Sequence, residues 1–216
     1  MSKIVIIAEK PSQAKAYADA FQNVKRENGY FQVEDSRFFN GIALITWGFG
    51  HLFELVQPER YNEAWKVWDL QTLPMIPGKF EFQVAADKRK QFNIVKKLLK
   101  EADEIIVATD CDREGENIAR SIIQMAGASH KPTKRLWINS LEVDEIQKGF
   151  QALKEGEHYL SLYKEAQTRQ FSDWLVGMNA SRLYTLLLQQ KGMRGVFSVG
   201  RVQLYPLNFR AFFNSP

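Results

Sequence analysis

The residues best able to do chemistry lie in the stretch "IIVATDCDREGENIARSII", Ile105 to Ile123. Asp110, Asp112 and Glu114 alternate there with Cys111 and Arg113, directly after an apolar run and just before Gly115. If the run stays extended, side chains at i, i+2 and i+4 point the same way. The three carboxylates then converge on a single hard cation while Cys111 and Arg113 turn off it. Two or three carboxylates that leave positions open to water suit magnesium, Mg2+, when a phosphate completes its shell. A second reading needs no ligand: Asp110 and Asp112 cap a helix that starts near Gly115 and complement its dipole. An EF-hand loop from Asp110 fails, because its twelfth position is Ser121 where a bidentate glutamate is required, and a strand precedes it in place of a helix. A phosphatase with Asp110 as nucleophile and Asp112 as acid also begins at a strand end and stays open as an alternative.

These residues need elements to place them. "KIVIIAEK" and "EIIVATD" are short β-branched runs ending in charge, and both read as buried parallel strands. "PSQAKAYADAFQNV" predicts a helix, with Pro11 in its first turn and Ala14, Tyr17, Ala18 and Phe21 on one face. "GIALITWGFGHLFEL" has strand composition broken by Gly48 and Gly50, which marks a turn or a close backbone approach. In "ADKRKQFNIVKKLLKEAD", Phe92, Val95, Leu98 and Leu99 line one helical face, and "GENIARSIIQMAG" is the helix after the second strand. "KRLWINSL" predicts another strand and "EVDEIQKGFQALKEG" a helix that ends at Gly156. Strands alternating with helices predict an α/β, doubly wound parallel sheet with right-handed crossovers, whose ligands sit beyond the carboxyl ends of the strands. Both "AEKPS" and "TDCDREG" fall on that edge. From Gly156 a long helical stretch runs with no strand signal until "FSVGRVQLYPL", so the chain is expected to divide into residues 1–152 and a mostly helical part, residues 153–216.

Composition bounds the rest. At 216 residues, 45% hydrophobic and 25% charged, the chain can bury one or two globular cores. Cys111 is the single cysteine, so no internal disulfide forms, and His51, His130 and His158 show no zinc-ligand spacing. Any metal would be bound by oxygen. No apolar run approaches a membrane span, and "MSKIVIIAEK" becomes charged too soon for a signal peptide, so a cytoplasmic protein with no membrane contact is expected. The net charge of +4 is carried by residues 151–216, with eight Lys and Arg against four Asp and Glu, while residues 1–150 balance at 21 against 21. That bias suits a polyanion, and equally a solvated helical face.

The pattern "AEKPSQAK" followed later by "ATDCDREGE" resembles the Toprim domain, a Rossmann-like parallel sheet flanked by helices. With "GHLFEL", "EAQTRQFSDWLVGMNASRLYT" and "SVGRVQ" in order, positions 3 to about 203 resemble type IA DNA topoisomerases, in detail most like the bacterial topoisomerase III branch. The resemblance implies strand cleavage and rejoining of single-stranded DNA by a tyrosine, with magnesium and no organic cofactor. It makes Glu9 the family's glutamate, handling a proton and joining Asp110, Asp112 and Glu114 at the metal, with Lys10 as phosphate clamp. Arg169 and Asp173, four apart on a helix, match positions that organise the site and contact DNA, though such a pair is also an ordinary salt bridge. Arg201 and Gln203 match positions near the DNA backbone, and Ser198 is a donor to phosphate. Trp174 and Tyr184, at helical spacing with Leu175, Leu183 and Leu187, read as core ahead of base stacking. Where the family continues with something like "VQTPTL", this chain has "VQLYPLNFRAFFNSP", and no tyrosine stands in a "SYPRT"-like context. The expectation is an N-terminal part, inactive alone, with Tyr205 the one candidate substitute nucleophile. A non-catalytic nucleic-acid-binding Toprim protein is the remaining alternative.

Overall fold

In the computed structural model, residues 2–50 and 52–200 are described. They divide into two compact units, one from residues 2–54 and Gln83–Gln167, the other from Leu55–Phe82 and residues 168–200.

The first unit is built on a seven-stranded sheet in the order β2-β3-β4-β1-β7-β8-β9. Its strands are β1 (Ser2–Ala8), β2 (Val24–Glu27), β3 (Tyr30–Val33), β4 (Gly41–Trp47), β7 (Glu104–Ala108), β8 (Thr133–Arg135) and β9 (Lys154–Glu155). The central four, β4-β1-β7-β8, are parallel, and β2, β3 and β9 add antiparallel edges. The expected α/β class holds, with mixed rather than wholly parallel edges. Helices α1 (Pro11–Asp19), α3 (Arg89–Glu101), α4 (Arg113–Ala126) and α5 (Val143–Gln151) flank the sheet. The two faces of β1 are both apolar, as a central parallel strand requires. Ile4, Ile6 and Ala8 join Tyr17 and Phe21 of the α1 side and Phe150 of α5 in one cluster, while Val5 and Ile7, also fully buried, alternate to the other face. The chain passes from β1 to β4 on one side, then crosses back to β7 on the other. That reversal makes the carboxyl edge of β1 and β7 a topological switch point, where such sheets open a crevice.

A two-stranded sheet pairs β5 (Phe53–Leu55) with β6 (Phe82–Val84), and α2 (Pro58–Tyr61) belongs to the second unit. Its backbone is α6 (Leu160–Gln190), whose residues from Thr168 onward lie in this unit. Residues of the 55–82 segment are fastened to α6. Phe80 stacks on Phe171 at 4.2 Å, the Asn179 amide bonds both N and O of Met75 at 2.6 and 3.0 Å, and the buried Arg182 donates to Trp65 O at 2.6 Å.

Several expectations are corrected. The strand over "KRLWINSL" is only Thr133–Arg135, and the helix expected to end at Gly156 stops at Gln151, before β9. No strand forms in 196–200, and the rest of "FSVGRVQLYPL" lies outside the described residues. Trp174 is core at 7% exposure, but Tyr184, Leu183 and Leu187 are 42, 40 and 41% exposed, because they share an outward stripe of α6. Among the described residues no helix is long and apolar enough to cross a membrane.

Candidate functional site

The register of the central strands builds the first part of the site. Ala8 of β1 stands opposite Ala108 of β7, so Glu9 and Asp110 leave the sheet side by side. The Asp110 N–H donates to Glu9 Oε2 at 3.3 Å. The loop after β4 supports Glu9 from the other side: Gly48 N donates to Ala8 O at 3.0 Å and Gly50 N, in a residue at φ 63°, to Glu9 O at 3.2 Å. Burial, and next the charge of Asp110, raise the Glu9 carboxyl above its usual range. Lys10 Nζ lies 3.8 Å from Asp110 Oδ2, both half exposed, a loose pair in which the lysine is free to move to another anion.

The extended geometry expected for the acidic run does not form. β7 ends at Ala108, Asp112 is the N-cap of α4, with Oδ1 accepting from Gly115 N at 2.7 Å, and Glu114 lies in the first helical turn. The capping reading is right for Asp112 and not for Asp110, whose side chain accepts from Gln13 Nε2 at 2.9 Å. Gly115 is required by contact. A Cβ there would stand 2.3 Å from Asp110 O, so any side chain would push the acidic loop off the helix start. Among the described residues no group of three or more His, Cys, Asp and Glu side chains is close enough to hold a metal by itself. The donor set nevertheless fits a hydrated hard cation: all oxygen, half exposed, and open to solvent in a cleft of about 370 Å³ lined by Lys10, Gln13, Asp110, Asp112, Asn139 and Ser140. Magnesium is commonly held by one or two carboxylates, with waters and substrate phosphate completing its shell.

Sequence reasoning missed what holds the loop in place. Arg135, fully buried, donates from Nη1 to Val107 O, Thr109 O and Leu136 O at 3.1, 2.9 and 2.7 Å, and from Nη2 to Asp110 O at 2.6 Å. Its Nε pairs with Glu116 at 3.1 Å, and Glu116 also accepts from Arg120, which reaches Gly156 O at 2.6 Å. Tyr17 OH donates to Ala108 O at 2.9 Å. Cys111 exchanges bonds with the main chain of Ile138, and burial pushes its thiol up, which keeps it a protonated packing group. The sequence signal for the arginine is faint: it is one of two adjacent charges, Lys134 and Arg135, in a three-residue strand.

The second set lies in the other unit. Arg169 and Asp173 approach to 3.9 Å and are both partly exposed. Asp173 and Ser198 line a cleft of about 570 Å³ with Lys66, Trp174, Ser181 and Arg182. The segment carrying Ser198 is tied to α6 by Phe197 N to Thr185 Oγ1 at 2.9 Å and Val199 N to Ser181 Oγ at 2.8 Å. Arg201, Gln203 and Tyr205 lie outside the described residues.

A parallel sheet whose switch point presents a glutamate beside an aspartate loop defines a recognisable class. The Toprim domain model matches residues 4–141, and the chain belongs to the Toprim family. A DNA topoisomerase model matches residues 157–210. Named relatives are DNA topoisomerase 3 of Staphylococcus epidermidis, 42% identical over 93% of this chain and 27% of the relative, and that of Bacillus cereus, 43% identical over 94% and 26%. The chain therefore spans about a quarter of the length of these relatives. A solved structure of full-length topoisomerase I from Thermotoga maritima shares the fold, with TM-score 0.54 at 22% identity over 82% of this chain and 25% of that one.

Proposed function

We propose that residues 1–152 are the Toprim domain, and residues 153–216 the start of the helical DNA-binding domain, of a type IA DNA topoisomerase that opens and reseals one DNA strand. The observation that carries this is the juxtaposition of Glu9 with Asp110 at the ends of neighbouring parallel strands, beside Lys10. Attack on a phosphodiester builds charge on the phosphoryl oxygens and on the leaving 3′ oxygen, so the site needs a proton donor and positive charge at hand. Glu9, with its carboxyl raised, holds its proton to higher pH than an ordinary carboxylate and suits the donor role. Lys10 neutralises phosphate oxygen. Toprim domains are generally metal-dependent; we assign magnesium, which would be held by Asp110, Asp112 and Glu114 with Glu9 beside them and would offset phosphate charge when bound. Arg169, Asp173, Ser198, Arg201 and Gln203 are the proposed DNA contacts, single-stranded DNA the substrate and the cytoplasm the place of action. With no tyrosine in the family's context, this chain is not expected to cleave DNA alone.

Fluorescence anisotropy with a labelled single-stranded oligonucleotide tests the reading. Affinity should fall steeply with salt, and Arg169→Ala should lower the slope of log affinity against log salt by about 0.7, the value for one phosphate contact on a single strand. Salt-independent binding, or magnesium-dependent turnover of a small phosphate ester, would favour the phosphatase alternative instead.

A further inference from the structure

We propose that Gln13 is a positioning residue of this site, whose side-chain amide ties the main chain at Glu9 to the carboxylate of Asp110. The inference rests on the metal-binding reading above. Gln13 stands on the first turns of α1 and is 4% exposed, a polar side chain placed where burial is costly unless both of its ends are bonded. Both are. Its Oε1 accepts from Glu9 N at 2.8 Å and its Nε2 donates to Asp110 Oδ1 at 2.9 Å. The chemistry of the two partners fixes the amide's orientation, since an N–H can only donate and a carboxylate only accept.

Two consequences follow from that bridge. The amide spans from the end of β1 to the loop after β7, so the relative position of Glu9 and Asp110 depends on one side chain as well as on the sheet register. It also engages a single Asp110 oxygen, Oδ1, and leaves Oδ2 on the side of Lys10, 3.8 Å away. A lysine or arginine at position 13 would orient Asp110 while cancelling its charge. A glutamine orients it and leaves the full negative charge to attract a cation, as neutral supporting donors do around metal-ligating carboxylates. Glutamine supplies acceptor and donor on one uncharged terminal group.

The test is binding of Mn2+ alone, a paramagnetic substitute for Mg2+, followed by the loss of the free-ion resonance in the whole 216-residue chain, with thermal melting alongside. Gln13→Met preserves length and packing but removes both bonds; Gln13→Asn keeps the amide but is too short for both. Each should weaken Mn2+ binding about 10-fold or more, the usual loss for a supporting partner, while the melting transition stays cooperative. If Gln13→Met does not fold, Gln13→Asn carries the comparison. Parental affinity in the folded Gln13 variants, together with weakened binding in Asp110→Asn, would overturn the role of Gln13 and leave the metal site standing. Parental affinity in Asp110→Asn as well would overturn the site itself, and the inference with it.

Discussion

Asp110→Asn combined with Asp112→Asn is expected to abolish uptake of magnesium, by more than about 100-fold, because losing two ligating charges exceeds the loss from a supporting partner. The pair of substitutions separates the two roles the acidic run can have. Asparagine is as good an N-cap as aspartate, so the bond from Gly115 N to position 112 survives and α4 keeps its start. Asparagine at 110 still offers an oxygen to Gln13 Nε2, so the loop keeps its tie to α1. What disappears is charge. Calorimetric titration should therefore show no magnesium heat in a protein that melts as the parent does. Unchanged uptake would mean that the carboxylates serve the fold alone.

Arg135→Leu should destabilise the first unit by about 3–5 kcal/mol, the cost of leaving one member of a buried ion pair without its partner. For a chain of this size that is roughly 6–20 °C in melting temperature. Arg135 and Glu116 are both fully buried. Leucine would strand Glu116 with Arg120 alone, and the carbonyls of Thr109, Asp110 and Leu136 would lose the guanidinium as donor, while Val107 O would keep only Leu136 N. Adding Glu116→Leu should recover part of the loss, because an apolar pair of similar volume carries no uncompensated charge. Denaturant unfolding of the single and double variants measures this. Additive losses would show that the pair is not coupled.

The contrast between these variants reflects what the sequence made legible. β1 and β7 were visible because a buried central strand must be apolar on both faces, and "IVII" and "EIIVA" have no other stable use. Once the two strands are neighbours, the register of Ala8 against Ala108 brings Glu9 and Asp110 to the same edge of the sheet. The conformation after Ala108 was not visible, since Asp112 as a cap and Asp112 in an extended run have the same sequence. The hairpin of β2 and β3 has little sequence signature: "VKRE" is charged and largely exposed, without strand alternation, and the one available signal is the Asn28–Gly29 turn, with Gly29 at φ 85°. The residues that hold the loop, Arg135, Glu116 and Gln13, are long-range partners. Nothing local distinguishes a buried arginine or glutamine with long-range partners from an exposed one. Continuity along the chain places the 55–82 segment within the expected first domain, residues 1–152. Its Phe80, Met75 and Trp65 find partners on α6 about 90 to 120 residues along, at Phe171, Asn179 and Arg182, which periodicity does not report.

In the proposed function one site binds a divalent cation and a DNA phosphate together. Thermodynamic linkage makes this testable in a single titration, because each ligand must then raise affinity for the other by the same factor. Mn2+ binding to this chain should be measured with and without a saturating single-stranded oligonucleotide, at constant ionic strength. Mn2+ should bind more tightly when the oligonucleotide is present, with no such gain in the Asp110→Asn, Asp112→Asn variant. Equal Mn2+ affinity with and without the oligonucleotide, while both ligands bind, would contradict it.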